Sequence, residues 1–130
     1  MRIILATQFK NESARVVEWL EYYRDRSITD FLLCDDYSTD DTVAKIHSVQ
    51  GVNVKIFPSL YPPNQFYNSK DTDLYKFDTK YIYSQHGNFK NIFEYACVNF
   101  DKNTALGFFD LDEFIFTNSN QPLKETIPKQ

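Results

Sequence analysis

Four short apolar runs punctuate the chain, and the polar stretches between the first three carry helical spacing. Arg2 to Thr7 reads as a first strand and Phe31 to Cys34 as a second. Val52 to Phe57 alternates apolar and polar residues, the pattern of a half-buried third strand. Ala105 to Phe109 is the fourth.

Asn11 or Ser13 is placed to cap a helix reaching about Arg26, with Val16, Trp19, Leu20 and Tyr23 as its buried stripe. Asp40 and Asp41 suit the first turn of a second helix, which Gly51 stops. Its apolar face is Val43, Ile46 and Val49.

Pro58, Pro62 and Pro63 then break the pattern, so residues 58–84 read as a long loop region with one helical turn near Asp73–Lys76. Its aromatics, Tyr61, Phe66, Tyr67, Tyr75, Phe77, Tyr81 and Tyr83, fit either a second small core or a platform for planar rings. From about Gln85, the residues Phe89, Ile92, Phe93, Ala96, Cys97 and Phe100 keep helical spacing. After the fourth strand come Phe114-Ile115-Phe116 and a polar tail over 117–130.

The order β-α-β-α-β-loop-α-β predicts one α/β domain over 1–130, a mostly parallel sheet with helices on both faces. Hydrophobic residues at 42% and charged residues at 25% place the chain among globular proteins rather than disordered ones. A formal charge of -4 argues against a nucleic-acid-binding surface. No apolar run approaches the roughly 20 residues of a membrane-spanning helix. The opening residues do not resemble a signal peptide, so a cytoplasmic location is expected. Cys34 and Cys97 sit in apolar segments and read as reduced core thiols. His47 and His86 have no zinc-spaced neighbours and read as solvated.

Three predicted strand ends carry polar groups. The first ends in Thr7-Gln8, with Lys10, Asn11 and Glu12 behind it. The second ends in Asp35-Asp36, and the fourth in Asp110-Leu111-Asp112-Glu113. In a parallel sheet all three lie on one edge, where open α/β sheets bind ligands. If the fourth strand continues, Asp110 and Asp112 face the same way. Two adjacent carboxylates ask for a cation, and the matching kind is a hard one, Mg²⁺ or Mn²⁺. Taken alone, Asp35 to Asp41 fits a turn with a helix cap as well as it fits a binding loop, and Thr7 fits an ordinary strand end.

Four segments together resemble the GT-A glycosyltransferases, in the manner of families 2 and 92. They are Ala6-Thr7-Gln8-Phe9-Lys10-Asn11-Glu12, Val17-Glu18-Trp19-Leu20-Glu21-Tyr22-Tyr23, Leu33 to Thr42, and Phe108-Phe109-Asp110-Leu111-Asp112-Glu113-Phe114. The resemblance implies a GT-A, Rossmann-like fold that stops after the Asp-x-Asp strand. It implies transfer of a sugar from a nucleotide-diphosphate donor, of the uridine or guanosine type, to a carbohydrate or glycoconjugate acceptor. Thr7, Glu12, Asp35 and Asp36 are then candidates for the nucleoside, and Gln85, Lys90, Asn91, Asp110 and Leu111 for the rest of the donor. Asp110 and Asp112 are candidates for the metal. No catalytic base is identifiable. Only 17 residues follow Glu113, against the longer acceptor half of such enzymes. A nucleotide-sugar-binding module without transferase activity is therefore the alternative expectation. Asp110-Leu111-Asp112 also resembles the nucleophile strand of haloacid-dehalogenase-type phosphatases, and Asp35-Asp36 the acidic pair of receiver domains. A phosphotransfer domain is thus a third reading. The free edge of a small sheet makes a homodimer plausible.

Overall fold

The structure, a computed structural model, describes residues 1–61 and 74–116, with the backbone alone over 74–84. Seven elements follow in chain order: β1 (Arg2–Phe9), α1 (Val16–Arg24), β2 (Asp30–Asp35), α2 (Thr42–Ser48), β3 (Asn53–Pro58), α3 (Leu74–Asn99) and β4 (Thr104–Phe108). The four strands form one all-parallel sheet in the order β3-β2-β1-β4, a Rossmann-like arrangement.

Alternation along β1 sorts its side chains between two cores. Ile3, Leu5 and Phe9 join Phe31 and Leu33 of β2 under Val16, Trp19, Leu20 and Tyr23 of α1 and Ile46 of α2. Ile4 and Ala6 join Leu32, Cys34 and Phe57 under Ile92 and Ala96 of α3. Helices therefore cover both faces, and β1 and β2 are buried from both sides, as parallel sheets require. Among the described helices none is long and apolar enough to cross a membrane.

Three local expectations need correction. The third helix starts at Leu74, about ten residues before Gln85, so residues 74–84 are helix rather than loop. The remainder of the expected loop aromatics, Phe66 and Tyr67, lies outside the described residues, and Tyr61 is half-exposed at 38%. The first helix begins at Val16, and neither Asn11 nor Ser13 caps it. The Glu12 carbonyl accepts from Arg15 N and Val16 N instead. Cys97 is exposed, and only Cys34 is a core thiol.

Asn11 has a different task. Its φ of 53° puts it in the left-handed region, which asparagine tolerates better than most residues. Its Oδ1 accepts from Thr39 N at 2.8 Å and Asp40 N at 3.3 Å, and its own N–H donates to Ser38 Oγ at 3.0 Å. Ser13 Oγ donates to Asp41. The loops after β1 and β2 are thus bonded to each other across the top of the sheet.

Candidate functional site

The sheet order places a topological switch point between β1 and β4. From β1 the chain steps to β2 and β3 on one side, then crosses to β4 on the other. Such a crossing opens a crevice at the carboxyl ends of the two strands. An open cleft of about 370 Å³ lies there, lined by Gln8, Phe9, Lys10, Glu12, Arg15, Gln85, Asp110, Leu111 and Asp112.

The acidic cluster reaches this cleft by a turn rather than by strand alternation. β4 ends at Phe108, and Leu111 and Asp112 lie in a turn. Glu113 N donates to the Asp110 carbonyl at 2.9 Å, and Asp110 N donates to Glu113 Oε1 at 2.9 Å. Leu111, 5% exposed, anchors the turn in the α1-side core, and the two aspartates flank it in the open. Glu113 is a turn-forming acceptor here, a role that lies outside the expected ligand set.

α1 holds this turn from behind. Trp19 Nε1 donates to the Glu113 carbonyl at 3.2 Å, and Tyr23 Oη donates to the same oxygen at 2.9 Å. Ile115 N donates back to Tyr23 Oη at 3.1 Å, and Tyr22 Oη donates to the Ile115 carbonyl at 2.5 Å. Phe114 lies edge-on to Tyr22, with centroids 4.8 Å apart. The segment 114–116 is therefore a strap on α1 and not a fifth strand.

Electrostatics in the cleft favour a cation. Partial burial raises the Asp110 carboxyl above its ordinary range, and the nearby Glu113 and Asp112 raise it further. Asp112 lies 4.0 Å from Arg15, with both side chains more than half exposed. A pair that open to water contributes little and leaves Asp112 free to exchange partners. Among the described residues no group of three or more His, Cys, Asp and Glu is placed to hold a metal. Two carboxylates alone still suit Mg²⁺ or Mn²⁺, which commonly take one or two protein carboxylates and complete their shell with water and phosphate oxygens.

Of the residues expected from sequence, Glu12, Gln85, Asp110, Leu111 and Asp112 line the cleft. Thr7, Asp35, Asp36, Lys90 and Asn91 do not. Thr7 is fully buried, and its hydroxyl donates to the Gln8 carbonyl at 3.3 Å. Asp35 Oδ1 accepts from Ser38 N at 2.9 Å and so shapes the turn after β2. Asp36 is tied to β1 through its N–H, which donates to the Phe9 carbonyl at 2.8 Å. Burial raises its carboxyl above the ordinary range, offset by nearby Lys10.

Sequence reasoning passed over Asn88, which is 1% exposed and bonds to two other segments, β1 and the residues after β3. Its Nδ2 donates to Gln8 Oε1 at 2.8 Å and Ser59 Oγ at 3.0 Å, and its Oδ1 accepts from Leu60 N at 2.9 Å. A signal was present: Asn88 stands one and two turns before Ile92 and Ala96, a polar residue on the buried stripe of α3.

The chain matches no family model, and comparisons with curated proteins and with solved structures also find no match.

Proposed function

We propose that the chain binds a nucleotide-diphosphate sugar with a divalent cation and serves metal-dependent sugar transfer. The observation that carries this reading is the placement of Asp110 and Asp112 on a core-anchored turn at the β1–β4 switch point. The GT-A-like order of motifs supports the same reading.

In this reading Asp110 and Asp112 would hold Mn²⁺ or Mg²⁺ together with diphosphate oxygens. A divalent cation held there would supply charge neutralisation for a departing diphosphate. The chain's own residues do the rest. Lys10 and Arg15 add positive charge to a rim otherwise dominated by carboxylates. Asp35 and Asp36 frame the neighbouring strand end, where a nucleoside would lie beside the cleft. The acceptor is a carbohydrate or glycoconjugate.

A thermal-shift titration tests the proposal. Uridine or guanosine diphosphate with Mn²⁺ should raise the melting temperature, and Asp112→Ala should abolish the rise. A ligand present at 100 times its Kd stabilises by about 2.7 kcal/mol, which is well within reach of the assay. No shift with any nucleoside diphosphate overturns the reading. Binding without donor hydrolysis or transfer assigns the chain to the non-catalytic alternative. Labelling by beryllofluoride in place of nucleotide binding would favour phosphotransfer.

A further inference from the structure

Gln8 has an orientation that its surroundings dictate. Leu60 N is a backbone donor and can only donate, so the Asn88 atom 2.9 Å from it must be oxygen. Asn88 therefore turns its NH₂ toward Gln8, and the Gln8 atom 2.8 Å away must be the acceptor, Oε1. The Gln8 NH₂ is what remains. Gln8 is 8% exposed, and its Nε2 has no hydrogen-bond partner among the described residues.

A buried amide donor left without a partner is costly, and that cost persists where a ligand later satisfies it. Gln8 also lines the cleft. It shares that lining with Glu12, Asp110 and Asp112. An unsatisfied donor and several carboxylate acceptors thus belong to residues of one cleft. A phosphate oxygen would satisfy the donor but has no proton to give a carboxylate, which it can meet only through the cation of the reading above. A sugar hydroxyl both accepts and donates, and two vicinal hydroxyls satisfy the amide and a carboxylate together.

We propose that Gln8, locked by Asn88, is a ligand-binding residue that donates from Nε2 to a vicinal diol of a sugar ring seated in the cleft. The inference rests on the nucleotide-sugar reading above and adds a residue and a chemistry to it. The diol has two sources, the ribose of the nucleotide and the transferred sugar. Because water barely reaches Nε2, the ring must seat deep in the cleft.

The test is the side-chain amide pair of Gln8 in a ¹⁵N–¹H correlation spectrum of the full chain, assigned by its loss in Gln8→Glu. That variant keeps an oxygen for Asn88 and replaces the donor with an acceptor. The probes are uridine and guanosine diphosphates, their 2′-deoxy forms and their diphospho-sugars, each with Mg²⁺. Movement of the pair with the ribonucleotides and not the deoxy forms assigns the ribose. Movement only with the diphospho-sugars assigns the transferred sugar. In either case Gln8→Glu should weaken the matching probe about tenfold or more, near the value of one hydrogen bond in a buried site. Equal movement with the 2′-deoxy forms, which keep base and phosphates, overturns the diol. So does a silent Gln8 pair while backbone amides around the cleft respond. A spectrum in which no signal responds to any probe rejects the nucleotide-sugar reading itself.

Discussion

Tyr23→Phe removes one oxygen atom from the back of the acidic turn, and the structure says what that atom does. Tyr23 is fully buried, donates to the Glu113 carbonyl and accepts from Ile115 N. The carbonyl keeps a second donor in Trp19 Nε1 at 3.2 Å, so it is not orphaned. Ile115 N loses its acceptor in a partly buried place. One lost hydrogen bond at ~1 kcal/mol and one stranded N–H at ~1 kcal/mol give ~2 kcal/mol of destabilisation. For a domain of this size that corresponds to a fall of about 6–10 °C in melting temperature. The ring itself stays, so the edge contact with Trp19, at 5.2 Å between centroids, is retained and no cavity opens. The assay is urea unfolding followed by the fluorescence of Trp19, the only tryptophan in the chain. Tyr22→Phe loses a single bond to the Ile115 carbonyl and is expected to cost about half as much. A Tyr23→Phe variant within 0.5 kcal/mol of the parent would refute the strap as a stabilising contact.

Other outcomes follow from the same geometry. Burial raises the Tyr23 hydroxyl above its ordinary value of 10.0, so its contribution is intact below that value and is lost as pH rises through the raised one. Alkaline unfolding should therefore come later in Tyr23→Phe, relative to its own neutral-pH stability, than in the parent. The raised Asp110 carboxyl, set by burial and then by Glu113 and Asp112, favours the folded state only while protonated. Asp110→Asn should accordingly leave the metal-free protein no less stable at neutral pH while removing any melting shift with Mn²⁺. Burial, with Asp36 and Asp35 nearby, pushes the Cys34 thiol up to about 12, whereas Cys97 is exposed. A thiol reagent should thus titrate one cysteine rapidly in the native protein and two in urea, and a Cys97→Ser variant should abolish the rapid phase. Asn11→Ala removes two backbone-directed bonds and the residue type suited to φ 53°, with an expected loss of about 1–2 kcal/mol by thermal unfolding, of which Asn11→Gly should recover part.

Much of the fold was legible because it is local. Each strand is an apolar or alternating run, and Val16, Trp19, Leu20 and Tyr23 mark the buried face of α1 as their spacing says. The start of α3 was not, since Pro58, Pro62 and Pro63 and the polar residues after them read as a loop that masked the helical spacing of Leu74, Phe77 and Tyr81. Sheet order was not legible either. The pairing of β1 with β4 rather than β3 is set by non-local hydrogen bonds, and it is this pairing that creates the crevice. The acidic cluster could be found because its chemistry is compressed into four neighbouring residues. Gln8 and Asn88 are 80 positions apart, so their bond had no signature in either segment alone. Asp35 and Asn11 show the opposite effect: polar residues at a strand end can be consumed by turn-building bonds to Ser38, Thr39 and Asp40.

The strap on α1 grips peptide groups. Trp19, Tyr22 and Tyr23 all bond to main-chain atoms of residues 113 and 115, and none touches a carboxylate through hydrogen bonding. The shape of the turn therefore does not depend on what stands at positions 110 and 112, provided Leu111 keeps its seat in the core. The two aspartates can be exchanged for other side chains on an unchanged main-chain track. That separates scaffold from side chain: the helix supplies the mounting, and the two carboxylates on the turn are free to be rewritten by single substitutions.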